Sequence, residues 1–286
     1  MRPRDLAELV RLPAALTAPG DSLAGAAAAG WPHGHRTWTL PVSSTLLYWA
    51  GMALNDYADR DLDKHERPER PIPSGRVTPG EALALAAGLT GAGLCVAAAG
   101  GGRRALRVAV PLAATVWTYD LLAKQTAAGP ACMAAARGLD VLLGAGGQLR
   151  AAAVPSLAVT VHTAAVTSLS RGEVHGSSEN AGRIALAGTA AAAATAAVPH
   201  RPAGRVSALA GAALAAGYAA VVGRSQLEAS RSPDAGTVRR ATGTGVRGVI
   251  LLQSALAARS GALGVAAGLL SAGPIARMAS KVVSPT

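Results

Sequence analysis

The chain has 286 residues, of which 50% are hydrophobic, with a mean hydropathy of +0.31 and a formal net charge of +11. These figures exclude an ordinary soluble domain and point to an integral membrane protein. The basic excess does not make a nucleic-acid binder, because the lysines and arginines are scattered between apolar runs with no aromatic residues interleaved to stack bases.

Aromatic residues make up 3% and Phe is absent, so the apolar stretches are built from Ala, Leu, Val and Gly, which suit close helix packing in lipid. The two cysteines, Cys95 and Cys132, lie in apolar runs without metal-ligand spacing and read as packing residues. From the N-terminus, "MRPRDLAELVRLPAAL" is a basic amphipathic lead without a cleavage site and is expected to be retained. A membrane-crossing helix needs about 20 mainly apolar residues. On that criterion the chain is expected to be all-α and polytopic, with about nine spans near 13–31, 38–55, 80–100, 105–123, 130–149, 154–170, 184–199, 205–223 and 247–271, in one domain over 1–286. Three polar intervals, 56–79, 171–183 and 224–246, then fall on one side. With the N-terminus inside, 16 lysines and arginines lie on the inner side and 9 on the outer, which places those intervals in the cytoplasm and the chain in the cell's inner membrane, in contact with lipid.

The first polar interval carries the chemistry. In "NDYADRDLD", an α-helical advance of about 100° per residue puts Asn55, Asp56, Asp59 and Asp63 within a strip about 100° wide, with Asp61 pointing elsewhere. Carboxylates gathered on one strip repel unless a cation joins them, and oxygen donors of this kind suit Mg²⁺, which shares its shell with substrate phosphates. The bland alternative is a solvated charge run at a helix end. Ionisable residues at the end of a span in a bundle favour the functional reading.

These residues resemble the N-D-x-x-D-x-x-x-D signature of the UbiA superfamily of intramembrane prenyltransferases, and "ERPERPIPSGRVT" resembles the segment that follows it there. The resemblance implies a UbiA-like helical bundle that moves a prenyl group from an isoprenyl diphosphate to a lipophilic, most often aromatic, acceptor, with Mg²⁺ on Asp56, Asp59 and Asp63 and Asn55 as ligand or hydrogen-bond donor. It also implies a phosphate-binding role for Lys124 in "TYDLLAKQ", where family members show Y-x-x-x-K or a close variant, with Arg67, Arg70 and Arg171 as companions or as positive-inside residues. The family's second acidic motif is of the D-x-x-x-D kind, whereas this chain has "SLSRGEVHGSSENAGR" and no aspartate there, so Glu173 is the expected substitute ligand. "SRGEVHG" is similar to the EboC-type branch of the superfamily.

Three intramembrane charges need partners. Arg137 and Asp140 are three apart and expected to pair on one helix face, and Asp21, after Pro19 and Gly20, is expected to turn into the cavity and orient the acceptor. Tyr57 and Tyr119 adjoin the site, as shields for positive charge or as interfacial anchors. A CDP-alcohol phosphotransferase is disfavoured, because its D-x-x-D-G-x-x-A-R pattern is absent: "RDLD" follows Asp59. A non-catalytic transport or assembly protein is the other alternative.

Overall fold

A computed structural model describes residues 1–12, 19–30, 38–198 and 204–283, the side chains of 275–283 excepted. Much of the first expected span, together with Trp31, Arg36 and Arg201, lies outside the described residues. Among those described there is no strand. The helices are α1 Pro3–Leu9, α2 Gly20–Ala28, α3 Thr39–Ala58, α4 Arg60–Glu66, α5 Pro79–Thr118, α6 Gly129–Gly144, α7 Leu149–Ser170, α8 Glu179–Ala197, α9 Arg205–Arg231, α10 Ala235–Arg259 and α11 Leu263–Val283. A π-helical turn, Tyr119–Ala123, continues α5. Three helical stretches, Pro79–Ala123, Leu149–Ser170 and Arg205–Arg231, are long and apolar enough to cross a membrane by length and composition.

Local sequence explains the start and the reversal of α5. Thr78 caps it with a reciprocal pair, its hydroxyl accepting from the Glu81 N–H at 3.2 Å and the Glu81 carboxylate accepting from the Thr78 N–H at 2.8 Å, and Pro79 fills the first helical position. Gly102, at φ 58° and ψ −147°, then breaks the helix in a conformation that a Cβ would oppose. The two arms pack on α3 in opposite directions: Gly93 meets Leu47 and Gly100 meets Thr39 on the way out, and Val116 meets Gly51 on the way back. The expected spans 80–100 and 105–123 are these two arms.

In the C-terminal third the helix bounds differ from those expected. The interval 224–246, expected to be a loop, is mostly helix: α9 runs to Arg231 and α10 starts at Ala235, capped by Asp234, whose carboxylate accepts from the Thr237 N–H at 3.0 Å and the Thr237 hydroxyl at 2.6 Å. Hydropathy misses it because arginines at Arg224, Arg231, Arg239, Arg240 and Arg247 lower the average without breaking the helix. The expected span 247–271 is instead the end of α10 and the start of α11, parted at Gly261, φ 87°. Gly273 lies against Ile250 and Ala266 clusters with Ala257 and Ala258, so α11 folds back along α10. Its last residues therefore return toward the end from which α10 starts.

Small residues let the helices approach closely. A Cβ on Gly144 would come 1.8 Å from the Ser22 carbonyl oxygen, and one on Gly25 1.8 Å from that of Val141, so α2 and α6 cross backbone to backbone. At one end of the bundle the connections are tied together. Lys124 pairs with Asp59, Arg171 donates to the Thr126 carbonyl, Arg239 donates to the Glu173 carbonyl at 3.1 Å, and the Ser177 N–H donates to the Pro233 carbonyl at 2.8 Å.

Candidate active site

The aspartate strip straddles a helix break. Asp59 is the hinge between α3 and α4, but its N–H still bonds to the Asn55 carbonyl at 2.9 Å and its own carbonyl accepts from Asp63 at 2.8 Å, so the one-sided arrangement survives the change of helix. Asp56 and Asp63 are buried and share one cation: Arg70 Nη1 lies 2.6 Å from Asp63 and 3.3 Å from Asp56. Arg11 reaches Asp56 from the N-terminal segment at 3.4 Å, from a left-handed backbone position at φ 50°. Asp59 pairs with Lys124 at 2.6 Å. Asp61 turns outward, as expected, and Lys64 at 2.7 Å holds its carboxyl below the ordinary carboxylate range.

Asn55 points along the strip to a residue that sequence reading passed over. Its Nδ2 donates to Asp120 Oδ1 at 3.1 Å, and Asp120 is buried. Asp120 lies between two openings. One is a polar depression of about 400 Å³ bearing Asp59 and Lys124. The other is a largely apolar cavity of about 340 Å³ between α3, α5 and α6, lined among others by Asn55, Tyr119, Met52, Val116, Met133 and Arg137. Tyr119 and Lys124 are five residues apart, one more than a Y-x-x-x-K spacing. The π turn absorbs the extra residue: the Lys124 N–H bonds to the Tyr119 carbonyl at 2.9 Å. The signal for Asp120 was present in "TYDLLAKQ", between two residues already singled out. For Arg11 no local signal exists, since its partner lies on another helix.

Four carboxylates, Asp56, Asp59, Asp63 and Asp120, thus face three cations, Arg11, Arg70 and Lys124. Among the described residues no three carboxylate, histidine or cysteine side chains stand together as a formed metal site, because the chain's own cations occupy the spaces between the aspartates. The donors on offer are all oxygens, which is the chemistry Mg²⁺ requires.

Several expected residues lie elsewhere. Arg67 is exposed and forms no side-chain hydrogen bond or ion pair among the described residues. Arg171 is exposed and braces the loop that follows the π turn. Glu173 is not gathered with the aspartates: its turn is drawn onto the α9–α10 connection, and its carboxylate has no partner among the described residues. Asp21 does not line the cavity. It is fully buried behind it, 2.7 Å from Arg137 Nε, and accepts from Gln253 Nε2 at 2.7 Å. Arg137 therefore pairs with Asp21 and not, as its spacing suggested, with Asp140, whose Oδ2 accepts instead from the Ser44 hydroxyl at 2.8 Å.

An all-helical bundle with acidic and basic side chains gathered at the mouth of an apolar cavity is the class of protein that these features define. A profile of the UbiA prenyltransferase family matches residues 14–223, and the chain belongs to that family. It is 51% identical over 65 residues to a 4-hydroxybenzoate octaprenyltransferase of Dechloromonas aromatica, a match covering 22% of each chain. It is 42% identical over 89 residues to a digeranylgeranylglyceryl phosphate synthase of Natronomonas pharaonis, covering 31% of this chain and 32% of the relative. The chain thus matches less than a third of the length of these curated relatives. Its fold is similar to that of a digeranylgeranylglyceryl phosphate synthase structure, with a TM-score of 0.70 at 18% identity over 91% of this chain and 98% of the other. It is also similar to a UbiA homologue from Archaeoglobus fulgidus bound to GPP and Mg²⁺, with a TM-score of 0.64 at 13% identity over 88% and 99%. At those identities the likeness establishes the fold.

Proposed function

We propose that the chain transfers a prenyl group from an isoprenyl diphosphate to a lipophilic or aromatic acceptor held in the cavity, in a Mg²⁺-dependent reaction with the site loops on the cytoplasmic side. The observation that carries this reading is the charge arrangement at the cavity mouth. With four carboxylates against three cations, the protein has no surplus positive charge for a diphosphate, so a donor of that charge enters only with divalent cations. Asp56, Asp59 and Asp63, with Asn55, are the residues to hold them. When bound, Mg²⁺ supplies the charge that neutralises the diphosphate and stabilises it as a leaving group.

The chain's own part is then positional. Lys124 and Arg70, which pair with aspartates, are the cations that turn to the phosphate oxygens in this reading. The apolar cavity wall receives the prenyl tail and acceptor and excludes water. The bond from the prenyl carbon to diphosphate oxygen breaks with its electron pair leaving on the diphosphate, the acceptor's electrons form the new bond, and the acceptor loses a proton. Asp120, between the two openings, is the carboxylate placed to take it. The named relatives span an aromatic acceptor and a glyceryl phosphate one, so family membership leaves the acceptor open.

Equilibrium binding of labelled farnesyl diphosphate to the purified chain tests this reading. Binding is expected with Mg²⁺ and not with a chelator, and equal binding in both contradicts it. A non-catalytic reading keeps one observation in its favour, the absence of a gathered second acidic side at Glu173, and it predicts binding without turnover.

A further inference from the structure

At the inner end of the cavity, away from the aspartate strip, the apolar lining gives way to Arg137, Asp140, Ser44 and Tyr48. Eleven residues of α3 separate Ser44 from Asn55, about 16 Å of helix rise. Arg137 spends Nε on Asp21, and its two terminal nitrogens have no hydrogen-bond partner among the described residues. Asp140 is 9% exposed; Oδ2 accepts from Ser44, while Oδ1 is buried without a hydrogen-bond partner among the described residues. A buried polar atom left unpaired costs about 1–3 kcal/mol, so a site that keeps one beside a cavity is completed by what enters the cavity.

We infer that this inner end is a subsite for a neutral hydroxyl group on the acceptor, read by Arg137 and Asp140. The inference rests on the proposed prenyl-transfer reading only in calling the ligand an acceptor. Its chemistry follows from the count of charges: two guanidinium groups, Arg11 and Arg137, and two carboxylates, Asp120 and Asp140, line the cavity, with the Asp21 carboxylate buried behind it, so it has no net positive charge to offer an anion. A carboxylate in that place faces Asp140 and is repelled. A hydroxyl complements both groups, accepting from an Arg137 terminal N–H and donating to Asp140 once the carboxylate turns its buried Oδ1 to the cavity. The apolar residues between the two ends, Leu47, Met52 and Val116 among them, suit a hydrocarbon ring or chain between that hydroxyl and the reacting centre. The anchored hydroxyl is thus a positioning contact, remote from the strip where the diphosphate is placed.

The test uses the full chain in lipid nanodiscs and three probes that carry a single substituent, benzyl alcohol, toluene and benzoate, with affinities measured by calorimetry. The hydroxymethyl compound is expected to bind ~10-fold more tightly than the methyl compound, the gain for satisfying a buried polar pair, with the carboxylate weakest. Asp140→Asn removes the repelling charge while keeping an oxygen, and is expected to raise benzoate above the hydroxymethyl compound. A wild-type order led by benzoate, or three affinities within about twofold of one another, overturns the subsite, and this outcome is readable even if the variant does not fold. A folded Asp140→Asn protein with an unchanged order overturns it as well. Farnesyl diphosphate binding with Mg²⁺, measured on the same preparation, separates the two proposals: its loss alone counts against prenyl transfer, and loss of the probe order alone counts against the subsite.

Discussion

The Lys124 ammonium lies 2.6 Å from the Asp59 carboxylate, joining the π turn that ends α5 to the hinge between α3 and α4. Under the proposed reading, Lys124 exchanges this aspartate for a phosphate oxygen of the donor. Lys124→Ala is expected to raise the Michaelis constant for the isoprenyl diphosphate by ~10-fold or more, the worth of a hydrogen bond to a charged group, with a smaller change in turnover. Steady-state kinetics against donor concentration measures this, and an unchanged constant removes Lys124 from the donor site.

The carboxylates should divide by the direction they face. Asp56→Ala, Asp59→Ala and Asp63→Ala are each expected to lower transfer by ~100-fold or more, since each leaves a cation without its partner and removes a donor to the metal. Asp120→Asn should join them. Asp61→Ala, exposed and paired only with neighbouring basic side chains, should stay within about threefold of wild type. Equal losses at Asp61 and Asp56 would show that position on the strip does not matter.

That strip was legible in the sequence because a helical period acts on neighbours, and Asn55, Asp56, Asp59 and Asp63 are neighbours. Partners from distant segments were not. Arg11 on Asp56 and Asp21 on Arg137 depend on how the bundle closes, and for Arg137 the local rule pointed to Asp140, a residue it does not pair with. Asp120 was within reach of local reasoning, but five-residue spacing to Lys124 from Tyr119 fits no α-helical period and hid the turn that places it. In the C-terminal third, hydropathy averaged polar helix and loop together, so α9 and α10 looked shorter than they are, and Gly261 inside an apolar run passed without notice as a reversal.

The Asp21–Arg137 pair should behave as a unit of stability. Arg137→Gln leaves a fully buried carboxylate without its cation and is expected to cost ~3–5 kcal/mol, and adding Asp21→Asn should recover most of the loss. The same pair depends on the close approach of α2 and α6, so Gly144→Ala, whose Cβ would sit 1.8 Å from the Ser22 carbonyl oxygen, should cost ~1–3 kcal/mol. Thermal unfolding of the detergent-solubilised variants reads both, and a double variant no more stable than Arg137→Gln alone contradicts the pairing.

Glu173 tests the second side of the site. Its carboxylate is not gathered with the aspartates, so Glu173→Gln is expected to leave the Mg²⁺ dependence of transfer within about twofold of wild type. A marked rise in the Mg²⁺ concentration needed for half-maximal activity would instead show that the turn closes over the donor and carries Glu173 to the metal.

Most directly, mass spectrometry of the lipid products decides the central claim. The purified chain is offered farnesyl, geranylgeranyl and longer isoprenyl diphosphates with phenolic and glyceryl phosphate acceptors, with Mg²⁺ or with a chelator. A prenylated acceptor, formed together with free diphosphate only when Mg²⁺ is present and lost in Asp56→Ala, is the predicted result. Binding of the donor with no prenylated product from any acceptor, by a chain whose unfolding shows it intact, would contradict prenyl transfer and favour the non-catalytic reading.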